Sequence, residues 1–539
     1  MKFLKSVYGI VGLMLSLTIL SVNADRLVIL HTNDTHSQIE PDGTGAGGIL
    51  QRKAIVDSVR RAEKNVILVD AGDIVQGTLY FKYFRGDVEF PLANMMGYDI
   101  QVMGNHEFDN GLEELAEHYK KLKAARLDAN YDFTGTPMEG LMDDYIIRKV
   151  GKHKVGFIGV GVDPESLISQ HNYAGMRYKD VVETVNRLAG ELKGRKGCDL
   201  VVVVSHLGAR KENEKTTDYE LAAATTDVDI IIGGHSHTVI QPGTKASDRP
   251  DLRPGESKFS PSIVENADGR PVLVVQTGKY GKLLGYINID LDHLGDITPA
   301  DFDYRLISVS DRFDDDALDP RMKAFIAPYK AKVDSVKAHV IGQSYYELSG
   351  DDRTGGYPNF IADFAMAYGK MKADSLRLAG YQIGTPDFAV MNVGGIRHNL
   401  PQGDVTEGRI LETFPFTNYI VMQRVKGTDF IAAMRMAASK GGEGVSDEVR
   451  VLTDADGELY KVLLNGEEMD PDKDYLMVTL DYVAEGNDDF VTFAGGERVW
   501  DDDQLMVTAL LRHINAMSSQ GLPIAPDITP RFLKAYMHE

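Results

Sequence analysis

The chain has 539 residues, a formal net charge of −22 and a single cysteine, Cys198. That length supplies two or three packed cores, and one cysteine excludes an intrachain disulfide framework. The acidic surface disfavours sequence-independent binding to a nucleic acid polymer or an anionic membrane, but says little about a small anion, because bound cations dominate a local field.

In chain order, Lys2 and Lys5 precede an apolar stretch, IVGLMLSLTIL, and then SVNA, with small residues Val22 and Ala24 before Asp25. This is the pattern of a secretory signal peptide cleaved after Ala24. The apolar run is shorter than the roughly 20 residues a membrane span needs, so export without a stable membrane anchor is expected, to a periplasm or to the medium. From Arg26 to about Asp290, Val/Ile/Leu-rich runs alternate with amphipathic helical segments. RLVILHT, NVILVDAGD, IQVMGNH, KVGFIGVG, DLVVVVSH, VDIIIGGH, PVLVVQTG and LLGYINIDL read as strands, and GGILQRKAIVDSVRRA and LEELAEHYKKLKAAR as helices. Continuous apolar strands are buried on both faces, and their alternation with helices predicts a layered α/β domain over residues 25–318. Residues 319–340, rich in Lys and Ala with Pro328 inside, read as a helical linker outside any core. A smaller α+β unit follows over 341–539, with a strand in FAVMNVGG, a helix around FIAAMRMAASK and a strand in DYLMVTLDYVAEG.

The chemistry is concentrated where those strands end. LHTNDTHS, VDAGD, GNHEFDNG, VVSHLG and GGHSH each close an apolar run, and ligands of α/β sheets gather beyond the carboxyl ends of strands. Asp34, His36, Asp73, Asn105, His206, His235 and His237 all carry oxygen or imidazole donors. At a strand end, i and i+2 share a side, which pairs Asp34 with His36 and His235 with His237. Seven donors suffice for two divalent ions sharing a carboxylate, a centre that activates water at phosphorus. Zn, Mn and Mg each suit mixed nitrogen and oxygen ligands. The residues alone therefore point to phosphoester hydrolysis.

These motifs resemble, as a set and over nearly the whole chain after Ala24, the exported 5′-nucleotidase family, with its calcineurin-like metallophosphatase domain and 5′-nucleotidase C-terminal domain. The resemblance implies that Asp34, His36, Asp73 and His237 hold one ion and that Asp73, Asn105, His206 and His235 hold the other. It implies His106 as the catalytic histidine and Asp109 as its orienting partner. MNVGGIRHN resembles the family element that places Asn392 on a base and Arg397 on a phosphate. TFPFTN and DYVAEGNDDF resemble loops that stack Phe416 and Tyr482 on the two faces of a base and offer Asp488 to a ribose. The expected substrate is a nucleotide and the expected reaction hydrolysis of nucleoside 5′-phosphates. The alternatives are a 2′,3′-cyclic nucleotide phosphodiesterase and a UDP-sugar pyrophosphatase; a thiosulfate-ester hydrolase and a non-enzymatic nucleotide-binding protein are more distant ones. Two departures stand out. RTGGYPN is shorter than the family's R-T-G-E-S-N-L-G-N, which puts the phosphate contact of Arg353 in question. Asn487 and Asp489 replace the glycines of the family's G-G-D-G loop.

Overall fold

Alternate residues of each apolar run face opposite ways, and both faces are covered. The computed structural model describes residues 25–165, 167–210, 216–249, 252–254, 259–294, 298–311 and 313–535; the signal peptide read over residues 1–24 lies outside them. Two six-stranded sheets stack on each other. In the first, Arg26–Thr32, Val66–Asp70, Ile100–Gln101 and Ala125–Arg126 run parallel, and Leu283–Asp290 and Asp303–Ser308 continue it antiparallel. In the second, Pro271–Val275, Ile230–Ile232, Leu200–Ser205 and His153–Val160 are parallel between antiparallel edges. Leu27 and Ile29 pack between the sheets with Val202, Val204, Ile230 and Ile232. Val28 and Leu30 face the opposite way, against Ile55 and Val56 of the helix Ile49–Ala62. Val201, Val203 and Ile231 pack outward against Val185, Leu188 and Leu221. The result is four layers, helix–sheet–sheet–helix. Cys198 is buried in the outermost core.

The second unit is smaller and mixed. Its five-stranded sheet orders Gly444–Val445, Phe388–Met391, Asp474–Leu480, Tyr419–Lys426 and Glu497–Leu505. Gly356–Leu378, a 23-residue helix absent from the sequence reading, lies against that sheet, its Gly369 so close to Val478 that a methyl would clash. Asp352 opens the helix by accepting from the backbone N–H of Thr354 and Gly355.

The connecting helix corrects the sequence reading. Pro320–Ala338 is helical, with Asp319 accepting from the N–H of Arg321 and Met322 and with Pro320 in the first turn, where a missing N–H costs nothing. It is a core element, however: Met322, Ile326, Val333 and Val336 are buried. These residues join an apolar cluster that runs from Val28 of the first sheet to Phe388 of the second unit. The helices Leu79–Phe84 and Glu407–Thr413, one from each unit, pack on it. Gly408 makes this approach possible, since a Cβ there would sit 2.8 Å from Lys337 Cα. Lys and Ala frequency hid a buried stripe that four spaced apolar residues carry.

Candidate metal centre

Five parallel strands from the two sheets end on the same side, and the turn after each supplies a candidate ligand. Asp34, His36, Asp73, His235 and His237 all have positive φ, between 44° and 69°. Non-glycine residues seldom adopt this backbone, and such strain persists where the surrounding structure imposes it, most often at functional sites. Here ladders of backbone bonds impose it: Asp34 N–H donates to Gly72 O, His36 N–H to Asp73 O, and Tyr280 N–H to Asp34 O. Gly104 and Gly234 leave the space. A Cβ on Gly104 would sit 2.6 Å from His206 Nε2, and one on Gly234 2.7 Å from His206 Nδ1.

The donors converge. His36 Nε2 lies 3.0 Å from His237 Nε2 and 3.9 Å from both Asp34 Oδ1 and Asp73 Oδ2. His206 Nε2 is 3.2 Å from Asp73 Oδ2 and 3.9 Å from Asp34 Oδ1. Asn105 Oδ1 and His235 Nδ1 are 2.9 Å apart. Two overlapping triads can each surround an ion: Asp34, His36 and His237, and Asp34, Asp73 and His206. Both carboxylates thus sit centrally between the two histidine groups.

The residues fit divalent cations. His206 Nδ1 donates to Ala71 O at 2.6 Å, which turns the buried Nε2 toward Asp73 Oδ2, 3.2 Å away; imidazole ligands are oriented in this way. Burial pushes His36 and His235 down to about 3 and His237 lower still, so these rings are neutral and offer lone pairs. Burial also opposes charge on His206, but Asp73 outweighs it and lifts that imidazole to about 10. A neighbouring pair of buried carboxylates calls for positive charge, and a divalent cation held there would supply it.

His106 stands beside this cluster. Its N–H donates to Asp73 Oδ1 at 2.9 Å, and its ring Nδ1 lies 3.1 Å from both carboxylate oxygens of Asp109. Burial works against a charge here too, but Asp109 and then Asp73 push the ring up to about 9. Nε2 is left for whatever occupies the adjoining cavity. That cavity, about 320 Å³, is walled by Asp73, Asn105, His106, Asp109, His235 and His237 from the first unit and by Asn392, Arg397, Phe416, Tyr482 and Asp488 from the second. The Phe416 ring stacks on His106 at 5.8 Å between centroids, and the Arg397 guanidinium lies 5.6 Å from the same ring. Asn392 Nδ2 donates to Asp488 Oδ2 at 2.6 Å.

Among the residues that resemble substrate contacts, Arg353 is the exception. It does not line this cavity, and its Nη1 pairs with the buried Glu443 at 3.1 Å. The shortened RTGGYPN segment runs straight into the helix Gly356–Leu378, so Arg353 is spent on the protein itself. The G-N-D-D loop keeps a tight turn despite its lost glycines: Asp488 and Asp489 take φ of 57° and 69°, a conformation Asp tolerates better than most residues. Asn487 Nδ2 donates to Tyr482 O at 2.9 Å and steadies that ring's backbone.

Sequence reasoning missed Glu107. It is buried and accepts from the N–H of Gly104 at 2.6 Å, Ile74 at 2.9 Å and Asp73 at 3.0 Å. It knits the Asp73 turn to the Asn105 turn, and its place in GNHEFDNG was its only signal. Glu107→Gln replaces one acceptor oxygen by a donor facing those N–H groups. Metal affinity is expected to fall about 10- to 100-fold, the usual cost of disturbing a ligand's support; a metal titration matching the wild type would refute this role. Arg210 and Asn172 also reach the cavity and carried no motif.

Comparison with known proteins agrees with this geometry. Residues 27–239 match the model of the calcineurin-like phosphoesterases, and residues 336–495 match that of the 5′-nucleotidase C-terminal domain. The chain is 28% identical over 448 residues to a snake venom 5′-nucleotidase of Naja atra, covering 79% of this chain and 80% of that one. It is 27% identical over 453 residues to a 5′-nucleotidase of Homo sapiens, covering 80% and 75%. Among solved structures, a 5′-nucleotidase precursor from Thermus thermophilus superposes with a TM-score of 0.75 at 26% identity, covering 95% of this chain and all of that one. With a metallophosphatase domain followed by this C-terminal domain, the chain belongs to the 5′-nucleotidase family.

Proposed function

We propose that this protein is a metal-dependent phosphoric monoester hydrolase that converts nucleoside 5′-phosphates and water to nucleosides and orthophosphate. The observation that carries the reading is one cavity lined on one side by metal-ligand candidates and on the other by two aromatic rings, an amide and a carboxylate. We assign Asp34, His36, Asp73, Asn105, His206, His235 and His237 to two divalent ions of the Zn, Mn or Mg class. Bound there, such ions acidify water and neutralise charge on phosphoryl oxygens.

The chain's own groups do the rest. Asp109 holds the His106 ring through Nδ1, so that protonated Nε2 donates to a phosphoryl oxygen as charge builds. Arg397 offers a planar donor fork to the same group. Phe416 and Tyr482 hold the base by its faces, a contact worth about 1–3 kcal/mol per ring and tolerant of base identity. Asp488, steadied by Asn392, accepts from ribose hydroxyls. The leader read over residues 1–24 fits export to a periplasm or to the medium. Among the described residues, no helix is long and apolar enough to cross a membrane.

The test is a substrate panel on purified, metal-loaded protein. A nucleoside 5′-monophosphate is expected to give the highest kcat/KM. A higher value for a 2′,3′-cyclic nucleotide, a nucleotide sugar or a thiosulfate ester would move the assignment to that substrate. Phe416→Ala is expected to raise KM for nucleoside monophosphates about 10-fold, the worth of one stacking contact. Because the ring also packs on His106, an aryl phosphate lacking a base is the control. Equal losses on both substrates would show that Phe416 serves the histidine and not the base.

A further inference from the structure

The segment that follows the helix Gly427–Ser439 touches both loops of the nucleoside wall within four residues. Lys440 pairs with Asp489, next to Asp488. Glu443 accepts from Val393 N–H at 2.6 Å, next to Asn392, and pairs with Arg353 at 3.1 Å. Gly441 and Gly442 separate them, with φ of 90° and 126°, and a Cβ on Gly442 would lie 2.5 Å from Arg353 O. The two loops meet in the Asn392–Asp488 hydrogen bond.

Resting on the nucleotide reading above, we propose that Lys440 and Glu443 are positioning residues, a staple that fixes the Asn392 turn and the Asp488 loop at the spacing a nucleoside requires. A glycine holds positive φ without penalty, but Asp488 and Asp489 are held there against a steric cost. An unanchored loop of that kind relaxes toward ordinary backbone and takes the Asp488 carboxylate with it. Lys440 supplies the anchor. Its side chain is 37% exposed and that of Asp489 26%, so the pair tunes the loop without nucleating the fold. Glu443, only 5% exposed, does the same for the Asn392 turn through a backbone N–H, and Arg353 balances its charge. The Arg353 position freed from the phosphate thereby acquires a function beneath the base pocket.

The test compares Lys440→Met, Asp489→Asn, the double variant, Lys440→Arg and Glu443→Gln in the full-length, metal-loaded protein. Asn keeps the tolerance for left-handed backbone and removes only the charge. Lys440→Met and Asp489→Asn are each expected to raise KM for a nucleoside monophosphate about threefold, the scale of a half-exposed ion pair. The double variant should be no worse than either single one, and Lys440→Arg should stay near wild type. Glu443→Gln should raise KM about fivefold or more, since a buried N–H and Arg353 lose their charged partner. Turnover of a base-free aryl phosphate should not change. Amide hydrogen exchange at 487–489 should quicken in Lys440→Met, and at 392–397 in Glu443→Gln. Additive effects in the double variant, equal losses on both substrates or unchanged exchange would overturn the staple. A wild-type protein with no preference for nucleotides over the aryl phosphate would instead overturn the nucleotide reading, and the exchange data would still judge the staple.

Discussion

Asp73→Asn is expected to lose bound metal and turnover together, with nucleotide hydrolysis down about 10³-fold or more. Asp73 Oδ2 lies 3.2 Å from His206 Nε2 and 3.9 Å from His36 Nε2, so one carboxylate serves both histidine groups. Its other oxygen accepts the His106 N–H at 2.9 Å and sets where that ring stands. Asparagine has the same size, keeps one oxygen and tolerates the φ of 56° that Asp73 adopts. The substitution therefore removes a charge and a ligand oxygen from an otherwise intact turn. Elemental analysis after dialysis, with a thermal melt as the folding control, reads the first effect; steady-state kinetics reads the second. A folded Asp73→Asn protein with full metal content and wild-type rate would end the two-ion assignment.

Sequence carried the site further than the fold. Asp34, His36, Asp73, Asn105, His206, His235 and His237 were legible because each follows an apolar strand, and strand order puts those ends on one side. What sequence did not reveal was how the turns hold. The left-handed backbone at five of the seven depends on bonds between loops far apart in the chain. Glu107 was invisible for the same reason, since its three acceptor contacts belong to tertiary structure. The pairing of Arg353 was not legible because a motif match names a residue but not its competing partner, and buried Glu443 lies 90 positions away. In the fold, long Val/Ile/Leu runs announced the central strands, and two-residue pieces such as Ile100–Gln101 were carried by their motifs alone. The helix Gly356–Leu378 escaped because its buried Tyr357, Pro358, Asn359 and Gly369 are not helix-like in composition; packing against the sheet overrides that preference. The Lys and Ala content of the connecting helix points to a linker outside any core, yet Met322, Ile326, Val333 and Val336 form a buried stripe along one side.

His106→Ala separates chemistry from binding. His106 is in contact with the centre through its backbone, by the bond to Asp73 Oδ1, and alanine preserves that N–H. Metal content is therefore expected to stay at the wild-type level. The ring is what disappears, and with it the charged Nε2. Asp109 holds Nδ1 from two oxygens at 3.1 Å, and the combined pull of Asp109 and Asp73 keeps the imidazole protonated up to about 9 against burial. A cation bound beside Asp73 weakens that residue's share and leaves Asp109 as the group that retains the proton. An electrostatic donor of this kind contributes most where charge develops in the transition state and little to the ground state. The expected result is kcat lower by about 10²–10³, with KM for a nucleoside monophosphate altered far less. Asp109→Asn, which keeps the ring and weakens its orientation and charge, should lie between wild type and His106→Ala. The same loss of kcat should appear on an aryl phosphate without a base, since the histidine acts on the phosphoryl group that both substrates share. Loss of metal from His106→Ala would recast the residue as a support for the ligands. An unchanged kcat with both ions bound would remove it from the reaction altogether.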